Sequence, residues 1–142
     1  MTADTPKSRI VGTVVCLPVR DLDASLSFYR SVFDLPELGA DEGIIVVELP
    51  GLSLFLIEEH AFGTYTGKVG RGVAYPGSGS AVILSCATSS RRTLDEMLRS
   101  AASSGGTIAR RAGEDEDLGL YLGYFFDPDG HQWELAHAGS GA

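Results

Sequence analysis

Cysteine is scarce in this 142-residue chain: Cys16 and Cys86 are its two examples. That count does not make a disulfide-stapled scaffold. Each sits in a β-branched apolar run, where a free thiol serves as a small hydrophobe. Basic residues are also few, eleven Lys plus Arg against nineteen Asp plus Glu, for a net charge of −8. Such a balance repels a phosphate backbone, so no nucleic-acid partner is expected. Long apolar runs are missing too. Ile44 to Leu49 and Leu52 to Ile57 fall far short of the roughly 20 residues of a membrane-spanning helix, so no membrane partner is expected. Residues 1–9 are polar with no apolar stretch behind them. They read as a disordered tail rather than a secretory signal, and the expected location is cytoplasmic.

What is present is an ordinary globular composition, 44% hydrophobic and 21% charged, enough for one domain with a core. Thr13 to Val19 reads as a strand, and Asp21 or Asp23 as the cap of a helix carrying Leu22, Leu26, Tyr29 and Phe33 on one face. A short strand is expected near Glu37 and Leu38. Ile44 to Leu49 and Leu52 to Ile57 then form a hairpin around Pro50-Gly51. From 61 to 80 the chain is Gly-rich without an apolar period and reads as a linker. The order then begins again. Ala81 to Ala87 is a strand, and Ser89 or Ser90 caps a helix bearing Leu94, Met97, Leu98 and Ala101. Thr107 to Ala112 is a strand, Glu114 to Asp117 an acidic loop, and Leu120 to Phe126 with Gln132 to His137 a hairpin around Asp127-Pro128-Asp129-Gly130.

The pattern repeats at a spacing of about 68 residues, taking Val14 and Val82 as equivalent. Neither half can cover a sheet alone. The expected fold class is therefore α+β: two βαβββ modules, about 10–60 and 81–138, forming a curled mixed sheet with a shared cleft.

Two motifs carry a family resemblance over residues 10–138. Leu17-Pro18-Val19-Arg20-Asp21-Leu22, with Ser25-Leu26-Ser27-Phe28-Tyr29 and Phe33, resembles the opening strand and helix of the vicinal oxygen chelate superfamily. This is the glyoxalase, bleomycin-resistance and extradiol-dioxygenase group. Gly123-Tyr124-Phe125-Phe126-Asp127-Pro128-Asp129-Gly130-His131-Gln132-Trp133-Glu134-Leu135 is similar to its closing hairpin. The resemblance implies a homodimer and, in metal-dependent members, one ligand on each of four cleft strands.

Those positions fall at Val14, near Leu54 or Leu56, near Ala81, and at Glu134. Cys16, the next inward residue of the first strand, suits only a soft metal. Glu134 alone matches a ligand, and one carboxylate does not hold a catalytic ion. No cofactor is expected, although a divalent metal stays open. The preferred reading is a metal-free protein binding a small, partly apolar molecule. Its candidate contacts are Gln132, Glu134, Cys16, Leu54, Leu56, Tyr65, Tyr121 and Tyr124. The alternative is a lyase, isomerase or dioxygenase that uses Glu134 as base or ligand, its basicity raised by walls such as Leu54 and Ile83. Strand parity turns His131, Trp133 and His137 away from Glu134 and leaves Gln132 beside it. His131 is expected on a backbone carbonyl and His60 in the open. The acidic run reads as a solvated loop rather than a calcium site.

Overall fold

The computed structural model describes residues 9–139. The expected N-terminal tail, Arg9 apart, lies outside them. The first module runs β1 (Val14–Val19), α1 (Leu22–Val32), β2 (Ala40–Asp41), β3 (Ile44–Leu49) and β4 (Leu52–Glu58). A further helix, α2 (Glu59–Gly67), follows. The second module is β5 (Ile83–Ala87), α3 (Arg91–Ser103), β6 (Thr107–Asp115), β7 (Leu120–Phe126) and β8 (Gln132–His137). The architecture is α+β with two modules, as expected. The strands form two four-stranded mixed sheets, ordered β1-β4-β3-β2 and β5-β8-β7-β6, rather than one continuous ladder. In each, the first and last strands of the module pair in parallel and the other pairs are antiparallel.

Local chemistry explains the boundaries. Asp21 caps α1 through a bond from Ala24 N at 3.1 Å, and Ser90 caps α3 through one from Thr93 N at 3.0 Å. The deepest face of α1 is Ser25, Phe28, Tyr29 and Val32, while Leu22, Leu26 and Phe33 lie at its margin. The expected face was therefore rotated. The small strand is Ala40–Asp41, not Glu37 and Leu38, which lie in a turn. The linker reading also needs correction, because residues 59–67 are helical. Glu58 caps them by accepting from His60 N at 2.7 Å and Ala61 N at 3.3 Å. The acidic run is half strand. Glu114 pairs with Arg91, and Asp115 accepts from Arg110 and from Leu118 N, each at 3.0 Å. These two carboxylates have local partners, which weakens the calcium reading.

The core lies between the helices and one face of each sheet. Two rows across the first sheet, Val15-Leu54-Val47 and Leu17-Leu56-Ile45, point into it. So do Leu84, Trp133 and Phe125 in the second. Trp133 stacks on Phe125 at 6.0 Å between centroids and meets Phe33 at 5.0 Å, so one ring ties both modules together. Buried polar groups add direction to that contact. Trp133 Nε1 donates to Tyr29 OH at 3.0 Å, and Tyr29 OH donates to Asp127 Oδ2 at 2.6 Å. Asp127 Oδ1 accepts from Asp129 N and His131 N at 3.0 and 2.9 Å. Asp129 in turn accepts from Arg20 N at 3.0 Å, and His131 Nε2 bonds Pro18 O at 2.8 Å, the carbonyl bond expected of it. Gly130 closes the turn at φ 91°, which favours glycine.

Candidate functional site

Opposite the core, the first sheet shows the row Cys16-Phe55-Val46. Side chains alternate along a strand, so Leu54 and Leu56 cannot share that face. Both are wholly buried in the core, so the expectation that they line the cleft is corrected in favour of Phe55 and Ile57. Cys16, a candidate cleft contact, is exposed on this face, whereas Cys86 is half-buried against the core.

Helix α2 stands beside this face, and the two form the walls of an open cavity of about 510 Å³. Phe55, Ile57, Phe62, Tyr65 and Val69 are among its walls. A second cavity, about 310 Å³, lies where β1 meets the start of β5 and segment 74–82. Pro18, Phe62, Tyr75, Val82, His131 and Gln132 are among its lining residues. Cys16 and Phe62 belong to both cavities. Neither wall includes Asp, Glu, Lys or Arg. Burial raises the Cys16 pKa, so its thiol stays protonated near neutrality.

The second sheet presents a different face, the row Ser85-Glu134-Tyr124-Arg110. Both carboxylate oxygens of Glu134 are engaged. Ser85 Oγ donates to Oε1 and Tyr124 OH to Oε2, each at 2.6 Å. That bond, ahead of burial, raises the Tyr124 pKa and keeps the phenol a donor. Gln132 shares the face and its amide makes no hydrogen bond among the described residues, yet it also lines the 310 Å³ cavity. Glu134 borders neither cavity described above. Its immediate neighbours are hydroxyls, not the apolar wall expected from Leu54.

The remaining expectations divide by parity. Tyr121 faces α3, where its hydroxyl donates to Asp95 at 2.6 Å and the Arg91 guanidinium lies 4.5 Å from its ring. Its assignment to the cleft is therefore corrected, since residues 121 and 124 lie on opposite faces of β7. His137 Nδ1 bonds Thr88 O at 3.0 Å, and His60 is exposed in the first turn of α2. Phe62, Tyr75 and Ser85 were not foreseen. The register could have revealed Ser85, the direct neighbour of Glu134, whereas Phe62 and Tyr75 lay hidden in what read as linker.

The fold family implies a metal in some members, and the donor set here does not fit one. Among the described residues no three His, Cys, Asp or Glu side chains converge. The cleft faces offer Val14, Cys16 and Phe55 on one sheet and Ser85 and Glu134 on the other. That is one hard carboxylate and one soft thiol, and hydroxyls already hold the carboxylate.

Comparison with known proteins agrees with the two-module fold. Among curated proteins none matches the chain. A glyoxalase-related enzyme from Fulvimarina pelagi is similar in structure, at 26% identity and a TM-score of 0.74 over 92% of this chain and 88% of that one. A lactoylglutathione lyase from Agrobacterium tumefaciens shares the fold at 21% identity, with a TM-score of 0.62 and coverage of 94% and 96%. The fosfomycin resistance protein FosX from Mesorhizobium loti does so at 14% identity, with a TM-score of 0.64 and coverage of 94% and 96%. The sequence model that matches residues 10–135 is that of the Glyoxalase/Bleomycin resistance protein/Dioxygenase superfamily, and the chain belongs to that family.

Proposed function

We propose that this family member binds a small, predominantly apolar molecule in the cleft around Cys16 and Phe62, without a metal. One observation carries the reading: two cavities, about 510 and 310 Å³, share these residues and have no Asp, Glu, Lys or Arg on their walls. Transfer of apolar ligand surface from water supplies the affinity in such a site, and a few polar groups fix orientation. Four exposed side chains, Val14, Val46, Val82 and Ile83, support the further proposal that two copies pair in solution.

Cys16 provides the test. A compound taken from a thermal-shift panel should slow maleimide labelling of Cys16 in Cys86→Ala protein, because it occupies the space beside the thiol. A stabilising compound that leaves the labelling rate unchanged would place the site elsewhere.

A second reading follows from Glu134, the family's ligand position. On an open face with two hydroxyl partners it could serve as the proton acceptor of a lyase or isomerase. It would then have to release one of its two 2.6 Å bonds to reach a substrate proton. Turnover of a glyoxalase or dioxygenase substrate, abolished by Glu134→Gln, would put this reading first.

A further inference from the structure

Residues 72–82 complete the connection from α2 to β5, and Ala74, Tyr75, Pro76, Gly79, Ala81 and Val82 from this stretch line the smaller cavity. Among the described residues, its backbone makes no hydrogen bond to any other backbone group. A segment without such bonds opens readily unless side chains hold it. Packing does not hold its middle either. A Cβ added at Gly77 or Gly79 would meet nothing within 4 Å.

One side chain carries most of the attachment. Tyr75 is half-buried, with the Arg20 guanidinium stacked on its ring at 3.7 Å and the His131 ring 6.2 Å away. Its hydroxyl is shut off from water and has the Glu59 carboxylate as its hydrogen-bond acceptor. Those partners belong to three separate parts of the fold. Arg20 follows β1 and is tied to Asp129 at 3.4 Å, Glu59 opens α2, and His131 precedes β8. The neighbours of Tyr75 add smaller contacts. Val73 Cγ2 would lie 3.5 Å from a Cβ on Gly63, and Pro76 O 3.2 Å from one on Gly130.

We propose that residues 72–82 form a strap along the smaller cavity with Tyr75 as its latch, and that release of the latch sets how fast a ligand enters and leaves. This rests on the reading of the cleft as the binding site and adds how access to it is controlled. When Tyr75 lifts from Arg20, the strap uncovers Leu17, Pro18 and His131, which share that cavity with it. One cation on a ring and one hydrogen bond can break and re-form on the microsecond-to-second timescale of lid opening. A ligand that touches the strap from inside favours the latched state and slows its own release.

Two measurements on the full-length protein separate the latch from the gate. ¹⁵N relaxation without ligand tests the latch. The amides of Val73, Ala74 and Tyr75 should have order parameters near about 0.85, as in packed backbone, and should fall below about 0.6 in Tyr75→Ala while β5 stays ordered. Equal values in the two proteins, or a strap already below about 0.6 before substitution, would overturn the latch. The gate is tested by stopped-flow fluorescence with N-phenyl-1-naphthylamine, an uncharged apolar probe. Glu59→Ala removes the hydroxyl's acceptor and changes no residue on the wall of either cavity. It should raise the association and dissociation rate constants together, each about 3- to 10-fold, with Kd nearly constant. Unchanged rate constants would overturn the gate while the cleft reading stands. A probe that leaves the amide resonances of Cys16, Ala81 and Gln132 unmoved would overturn the cleft reading and the gate with it, and the relaxation data decide the latch in either case.

Discussion

Tyr29→Phe deletes one oxygen, and the structure gives that oxygen two partners with no route to water. Tyr29, Trp133 and Asp127 are buried, with exposures of 0%, 0% and 3%. Without the hydroxyl, Trp133 Nε1–H loses its acceptor and Asp127 Oδ2 loses its donor. Each buried group left unpaired costs about 1–3 kcal/mol, with the charged one at the upper end. The two together give about 3–5 kcal/mol. The ring packing against Phe28, Phe33 and Trp133 is unchanged, so no cavity term is added. Urea denaturation of both proteins at pH 7 measures the difference, with an equal m-value as the check that both unfold alike. The pH dependence gives the second arm. Burial raises the Asp127 pKa and the Tyr29 bond opposes that rise, so the substitution raises it further. A carboxyl with a raised folded-state pKa contributes stability that is full below its unfolded value and is lost as pH rises through the folded value. The deficit of Tyr29→Phe must therefore be smaller near pH 4 than at pH 7. A loss below about 1 kcal/mol at pH 7, or a deficit that grows on acidification, would refute the network as described.

Gly106→Ala should destabilise by about 1–3 kcal/mol in the same assay, because the new Cβ would lie 2.6 Å from Phe126 O and 2.7 Å from Phe28 Cε1. Maleimide should label exposed Cys16 faster than half-buried Cys86, and both rates should climb as pH rises toward thiol pKa values that burial has pushed up, read by peptide mass spectrometry. Elemental analysis after incubation with nickel, zinc or ferrous iron should find no stoichiometric metal. One ion per chain that is lost in Glu134→Ala would mean that a second copy completes the donor set. Ile83→Asp, at a side chain 54% exposed on the open face, should shift sedimentation from dimer toward monomer without lowering the melting temperature of the chain's own fold.

The helix caps, the β3-β4 turn and the β7-β8 hairpin were legible because each has a local cause: Asp21 and Ser90 as acceptors, Pro50-Gly51, and the Asp127 turn closed by Gly130. Parity on β8 was legible because Gln132, Glu134 and Ala136 alternate with bulky Trp133 and Leu135. The same rule failed on β4. Its sequence Leu-Ser-Leu-Phe-Leu-Ile-Glu is apolar on both faces between Leu54 and Ile57, so no pattern says which face meets the helices. Tyr121 and Tyr124 were ambiguous for a related reason, since either phenol can sit at the edge of a core. Helix α2 was missed because Gly63 and Gly67 weaken its propensity and its apolar residues draw no stripe. Its contacts with β1 and β4 are tertiary, and its local cap, Glu58, is also the last residue of a strand, which hid the start of the helix.

The registers of the two modules can be laid over one another. Val14 pairs with Ser53 as Ile83 pairs with Gln132, which makes Cys16 and Phe55 the counterparts of Ser85 and Glu134. One architectural position thus carries a thiol and a ring in the first half, a hydroxyl and a carboxylate in the second. A site that polarises a substrate needs donors converging from both halves. A site that binds by apolar contact needs a broad apolar wall, and here the first half provides it with α2 placed alongside. The second half contributes Gln132 at the border and keeps its carboxylate tied to two hydroxyls away from that wall. The repeat therefore divides the labour of the cleft. Its first copy holds the apolar volume and its second the polar edge, which favours recognition of a ligand over chemistry on it.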